Sequence, residues 1–150
     1  MTAKVNMKKK LRKKKETSKS TRKEVKTTLD QSLVTTADLP PTVKIGWRDI
    51  RLVPVDASFL KDNADCYGEF LSRESKINFQ KEVKGVELGN TVLHEILHAI
   101  AYASSLNQAN GPLKEEDNEE TTINSIANWL MGAFRDNPWL LDFLKASLKE

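Results

Sequence analysis

Thr91-Val92-Leu93-His94-Glu95-Ile96-Leu97-His98-Ala99-Ile100-Ala101-Tyr102 is the stretch from which the rest of this chain is read. It holds both histidines of the chain, His94 and His98, four residues apart, with Glu95 directly after the first, which is the H-E-x-x-H pattern. On an α-helix, positions i and i+4 share a face with Cβ atoms roughly 5–6 Å apart, so two imidazoles there converge on one ion. Leu93, Ile96, Leu97 and Ile100 recur at helical spacing and predict an apolar surface on the side turned away from the histidines. Glu95 lies about 100° round from His94, better placed to reach a water held by a metal than to join it as a ligand. That is the position of a general base. The competing reading is a packed or surface histidine pair, since the pattern is short enough to arise by chance. It does not account for the whole histidine complement standing at metal spacing.

The chain has 150 residues, room for one domain, and its charge is unevenly spread. Residues 1–26 carry twelve Lys or Arg and two Glu, a balance of +10, and the remainder carries twelve basic and nineteen acidic residues, a balance of −7. The sequence therefore joins a basic tail to an acidic domain. With one cysteine, Cys66, it forms no intrachain disulfide, which points to a reducing compartment. No apolar run approaches the roughly 18 residues of a membrane span, and none follows Lys8–Lys15 to make a signal peptide. The expected location is the cytoplasm, with no membrane partner. The sequence leaves the oligomeric state open.

Residues 1–39 are rich in Lys, Thr and Ser with apolar residues too scattered to form a face, and predict a disordered basic tail. Within it, residues 4–26 offer a weak, sequence-independent nucleic-acid contact through phosphate neutralisation, against the plainer reading of a solvated, self-repelling tail. Pro40-Pro41 marks the start of the domain at residues 40–150. Val43–Ile45 and Ile50–Val53 read as strands around Trp47, ended by Pro54. Asp56–Asp65 reads as a polar connection, with a helical turn around Phe59-Leu60. Cys66–Leu71 and Lys76–Phe79 read as a hairpin across Ser72–Ser75. Lys81–Asn90 reads as a loop or helical turn holding Gly85 and Gly89, and Ser104–Asn118 as a loop. A second helix is predicted from Glu119 to about Asp136, and a third from Pro138, capped by Asn137 and amphipathic through Trp139, Leu140, Phe143, Leu144 and Leu148. The expected fold is α+β: a short, mainly antiparallel sheet packed on the motif helix and two C-terminal helices.

A catalytic zinc takes three protein ligands and leaves a fourth position to water. No third histidine exists, and Cys66 falls in a strand pattern away from the motif helix, so a carboxylate from the acidic cluster before the second helix is the nearest source. Glu119 and Glu120 alone are continuous with that helix, and spacing leaves them tied.

The motif helix, followed by Asn118-Glu119-Glu120 and then Ile123-Asn124-Ser125-Ile126-Ala127-Asn128, resembles the minigluzincins, small zinc metallopeptidases of phages and mobile elements. The likeness extends to a strand such as Val43–Asp49 ahead of the hairpin and covers about residues 42 to 138. Repressor-cleaving members have a helix patterned Glu-x-x-Ala-Asn-x-x-Ala after the motif, with the Glu on zinc. Laid onto this chain, the resemblance implies Glu120 as the ligand, Asn124 at the Asn and Ala127 at the second Ala, while Ile123 departs from the first Ala.

It further implies a minimal zincin-like domain acting as a metallo-endopeptidase on a cytosolic, phage or host protein, in the host cytoplasm if phage-encoded. His94, His98 and Glu120 would hold Zn²⁺, with Glu95 the general base. In zincins an edge strand pairs with extended substrate, and Lys76–Phe79 is the strand expected to do so. Tyr102, sharing the face of His98, is expected to pack, and Asn124 to orient a ligand. The alternative function is a non-catalytic zinc-containing module that binds nucleic acid or protein through the lysine-rich tail. Structural zinc sites are sulfur-rich and four-liganded, which this chain cannot supply.

Overall fold

The computed structural model describes residues 33–56 and 66–149. The disorder expected of the tail up to residue 32 and the helical turn expected around Phe59-Leu60 lie outside them. Residues 33–39, read from sequence as the end of the tail, touch the domain. Thr35 bridges Lys84, the Gly85 N–H donates to the Val34 carbonyl at 2.7 Å, and Thr36, buried, donates from its hydroxyl to the Lys81 carbonyl at 3.1 Å.

β1 (Thr42–Ile45) and β2 (Arg48–Val55) form an antiparallel hairpin in which Ile45 pairs with Arg48. Only Gly46 and Trp47 connect them, and Gly46 has a φ of +59°, which a two-residue hairpin turn demands of its first central residue. Pro54 lies within β2 and does not end it. The Leu52 N–H donates to Pro41 on the β1 side. The nitrogen of Pro54, two residues on, points the same way past the end of β1, where no ladder bond is lost.

β3 (Gly68–Leu71) and β4 (Lys76–Gln80) form the expected hairpin, joined by a 3-10 turn at Ser72–Glu74 and a left-handed Ser75. The strand order is β1-β2-β4-β3 and the β2–β4 pairing is parallel, so the sheet is mixed, with antiparallel pairs on either side. This places β4 inside the sheet and makes β3 the edge, reversing the expectation that Lys76–Phe79 is the edge strand. Burial separates the two: Ile77 and Phe79 are fully buried, and Asn78 and Gln80 are buried on the opposite face, whereas β3 is only half-buried along its length. The core joins Ile50 and Leu52 of β2 to Ile77 and Phe79 of β4, with Val83, Leu88 and Ala99.

The sheet packs on α1 (Gly85–Ala103), which also lies against α2 (Glu116–Asp136). α1 starts inside the segment expected as a loop: Gly85, at φ +63°, turns the chain into the helix. Gly89 lets α2 approach, a Cβ there coming 3.3 Å from the Met131 methyl. The face of α1 turned inward is Leu88, Thr91, Glu95 and Ala99, whereas of the expected apolar surface Leu93, Ile96 and Leu97 are only partly buried and Ile100 is exposed. α2 begins three residues earlier than expected, with Glu116, Asp117 and Glu119 in its first turn, where the helix dipole favours acids. It buries Ile123 and Ala127.

α3 (Pro138–Ser147) starts at proline as predicted, but Asn137 does not cap it: its side-chain amide donates to the Ala133 carbonyl at 3.0 Å and closes α2 instead. Trp139 and Phe143 of α3 and Leu148 just after it are exposed, and no residue of α3 is fully buried. No helix among the described residues is long and apolar enough to cross a membrane.

Two glycines separate packing from propensity. A Cβ at Gly68 would lie 2.8 Å from both Glu95 Cγ and Thr91 Cγ2, whereas one at Gly132, inside α2, would meet nothing within 4 Å. Urea unfolding should show Gly68→Ala losing roughly 1–3 kcal/mol through overpacking. Gly132→Ala should gain about 0.5–1 kcal/mol from helix propensity. The opposite order would overturn this account of how β3 sits on α1.

Candidate metal centre

α1 presents His94 and His98 from successive turns toward α2, their Nε2 atoms 3.0 Å apart and their rings 4.7 Å between centroids. Glu120 meets them from the first turns of α2, with Oε1 3.1 Å from His98 Nε2 and Oε2 3.6 Å from His94 Nε2. One ligand-type atom from each of the three residues falls within 4.8 Å of the other two. Two nitrogens held about 2.0–2.1 Å from a tetrahedral ion stand roughly 3.4 Å apart, so this spacing is near that of a zinc site.

Glu119, tied with Glu120 on spacing, takes a different place. Its Oε1 accepts a hydrogen bond from His98 Nδ1 at 2.8 Å, and its carboxylate accepts from the Asn107 amide at 3.1 and 3.2 Å. A carboxylate only accepts in such a pair, so the proton sits on Nδ1 and the Nε2 lone pair of His98 faces Glu120. The Glu119 side chain is 15% exposed and that of Glu120 48%, so Glu119 is held within the wall while Glu120 faces open space.

The electrostatics favour a ligand-ready state. Burial, with the neighbouring His98, brings the His94 imidazole down to about 4, so it is neutral at pH 7 with a lone pair to give. Glu95 is 5% exposed beneath β3. Burial pushes its carboxyl up to about 8, the Glu120 charge adds to this, and a bond from the Phe70 N–H pulls it part of the way back. A cation among His94, His98 and Glu120 would offset that negative neighbour and favour the carboxylate. The donor set of two imidazoles and one carboxylate fits Zn²⁺.

These groups line a cavity of about 750 Å³ floored by α1 and walled by β3 and the start of α2. Glu69, Glu95, Glu116, Glu119 and Glu120 line it, with no Lys or Arg among the described residues of its wall. Tyr102 lines it too, edge-on to Phe70 at 6.0 Å, and packs as expected. Asn124 lines it one turn after Glu120 and makes no hydrogen bond to that ligand-type carboxylate.

Sequence reasoning missed three residues. Cys66, placed away from the motif helix, lines the same cavity with its thiol on the Gly68 carbonyl at 2.8 Å. Gly68 leaves the space Glu95 fills, and a glycine inside a strand pattern is a recognised sign of such close approach. Asn107 stood in a loop with no signal in the sequence. Against protein-family models, curated proteins and solved structures, the chain finds no match.

The two perturbed groups pull stability in opposite directions. Glu95 holds a proton in the fold that the unfolded chain releases near 4.5, so its contribution is complete below that pH and is lost as pH rises toward 8. His94 refuses a proton that the unfolded chain takes up near 6.5, so its contribution is present above that pH and is lost as pH falls toward 4. Above about 6.5 only Glu95 acts. Metal-free protein should lose roughly 1–2 kcal/mol between pH 6.5 and 8, and Glu95→Gln should flatten that fall. Chemical unfolding at several pH values measures both, and an unchanged slope in the variant would remove Glu95 as its source.

Proposed function

We propose that this protein is a zinc-dependent metallo-endopeptidase with a minimal zincin-like site, in which His94, His98 and Glu120 hold Zn²⁺ and Glu95 is the general base. The observation that carries the reading is the approach of two imidazoles and a carboxylate from neighbouring helices beside a second, buried carboxyl, at the floor of a cavity bordered by a strand that is at the sheet edge among the described residues. Bound zinc supplies a water of pKa near 7 and polarises the scissile carbonyl.

The chain's own residues do the rest. Glu119, braced by Asn107, fixes the tautomer and ring plane of His98. Glu95 accepts the proton of the attacking water and returns it to the leaving amine. Its raised pKa is suited to that exchange near neutral pH. β3 is the edge strand among the described residues, and its outer side takes the backbone of an extended protein segment by strand addition. The resemblance to the minigluzincins adds a cytosolic, phage or host protein as the substrate class.

Glu95→Gln should keep zinc stoichiometry and lower peptide hydrolysis about 10²–10⁴-fold. Zinc affinity should fall more in Glu120→Ala than in Glu119→Ala, the latter and Asn107→Ala losing roughly 10–100-fold as outer partners do. Metal analysis and a fluorogenic protein substrate read these out. Retained turnover in Glu95→Gln would remove it as the base, and the reverse order of the two glutamates would exchange their roles.

A further inference from the structure

A second, smaller hollow of about 310 Å³ adjoins the metal cavity across Tyr102, and its polar centre is Arg48. The guanidinium stands 4.8 Å from the ring centroid of Trp47 and 5.0 Å from that of Tyr102, so two aromatic faces hold it. Stacking occupies the faces of the guanidinium and leaves its edge N–H groups to bind a planar anion. Among the described residues no carboxylate pairs with it. Asp49, the adjacent residue in sequence, pairs with Lys44 at 3.5 Å, and the hollow is completed by Ala103, Ser105 and Gln108, none of them acidic. Among the described residues, an arginine set against two aromatic rings with no acid paired to it stands beside a cleft walled by glutamates with no Lys or Arg.

We propose that Arg48 is a specificity residue that receives the carboxylate of an acidic substrate residue on the amino-terminal side of the scissile bond. This rests on the peptidase reading above. The side follows from the packing: Gly68 lies against Thr91 and Glu95, and Phe70 against Tyr102, so β3 and α1 run the same way. A substrate strand antiparallel to β3 enters at the Tyr102 end and places its amino-terminal residues there. Tyr102 is one helical turn beyond His98 and its ring stands 5.0 Å from the Arg48 guanidinium, so the hollow lies past the Tyr102 end of the metal cavity. Trp47 and Tyr102 position the guanidinium, and the carboxylate takes it edge-on in a charge-assisted, bidentate pair.

Digestion of an unbiased peptide library by the zinc-loaded protein, with the products sequenced, tests this. Asp and Glu should be enriched over Asn and Gln about tenfold at one position on the amino side. Arg48→Gln should abolish that enrichment while leaving zinc content and cleavage at uncharged sites within about twofold. Arg48→Lys, which keeps the charge and loses the planar stack, should keep part of it. No acidic preference on that side, or a preference undiminished in Arg48→Gln, overturns the proposal. Should the protein cleave nothing, the peptidase reading fails separately. Binding of immobilised Glu peptides and their Gln counterparts to the zinc-loaded protein then decides for Arg48: a Glu preference lost in Arg48→Gln supports the subsite, and equal binding overturns it.

Discussion

Burying the Glu95 carboxyl on the sheet side of α1 is the constraint around which this domain is arranged. Leu88, Thr91, Glu95 and Ala99 would be an ordinary inward stripe if the third member were apolar. With Ala99 small, Leu88 apolar and the Thr91 hydroxyl bonded to the Glu87 carbonyl, the carboxyl is the costliest group on that face to desolvate, by several kcal/mol if charged and unpaired. The fold meets the cost in two ways. The carboxyl holds its proton up to about pH 8, and the Phe70 N–H bonds to it from the strand above. Both depend on β3 passing close overhead, which Gly68 alone permits. Helix patterning thus gives way to a buried carboxyl with a raised pKa at Glu95.

A comparable division of labour separates Glu119 from Glu120. Consecutive helical residues point about 100° apart, so they cannot do the same work on one neighbour. His98 offers two nitrogens on different sides of its ring, and the pair uses both: Glu119 at Nδ1, Glu120 at Nε2. Because Asn107 grips Glu119 from the loop after α1, the orientation of one imidazole is set by three segments at once. The two histidines alone, on flexible side chains, would not hold their lone pairs on a common point.

The sequence was legible where chemistry and local geometry coincide. His94 and His98 on one helical face, the β3–β4 hairpin around Ser72–Ser75, and Pro138 at the head of α3 each follow from a periodicity or a turn preference acting within a few residues. What could not be read depends on partners distant in the chain. β4 lies inside the sheet because Asn78 and Gln80 are covered as well as Ile77 and Phe79, and no alternation pattern announces burial on both faces. Gly85 and Gly89 resemble loop residues until Val34 and Met131 are seen against them. The different contacts of Glu119 and Glu120 come from His98 and Asn107, which spacing within α2 does not contain.

The mixed sheet explains how so small a domain brings distant residues to one helix. Because β2 and β4 run parallel with β4 inside, β3 is left at one margin and the β1–β2 turn at the other. α1 crosses beneath and touches both: Glu95 and Thr91 under Gly68 of β3, and Tyr102 under Arg48 at the β1–β2 turn. An all-antiparallel arrangement with β3 inside would carry Gly68 away from the free edge and leave Glu95 beneath a strand already paired on both sides. Placing β3 outermost is thus what sets a buried carboxyl, two imidazoles and, among the described residues, an open strand edge beside one another.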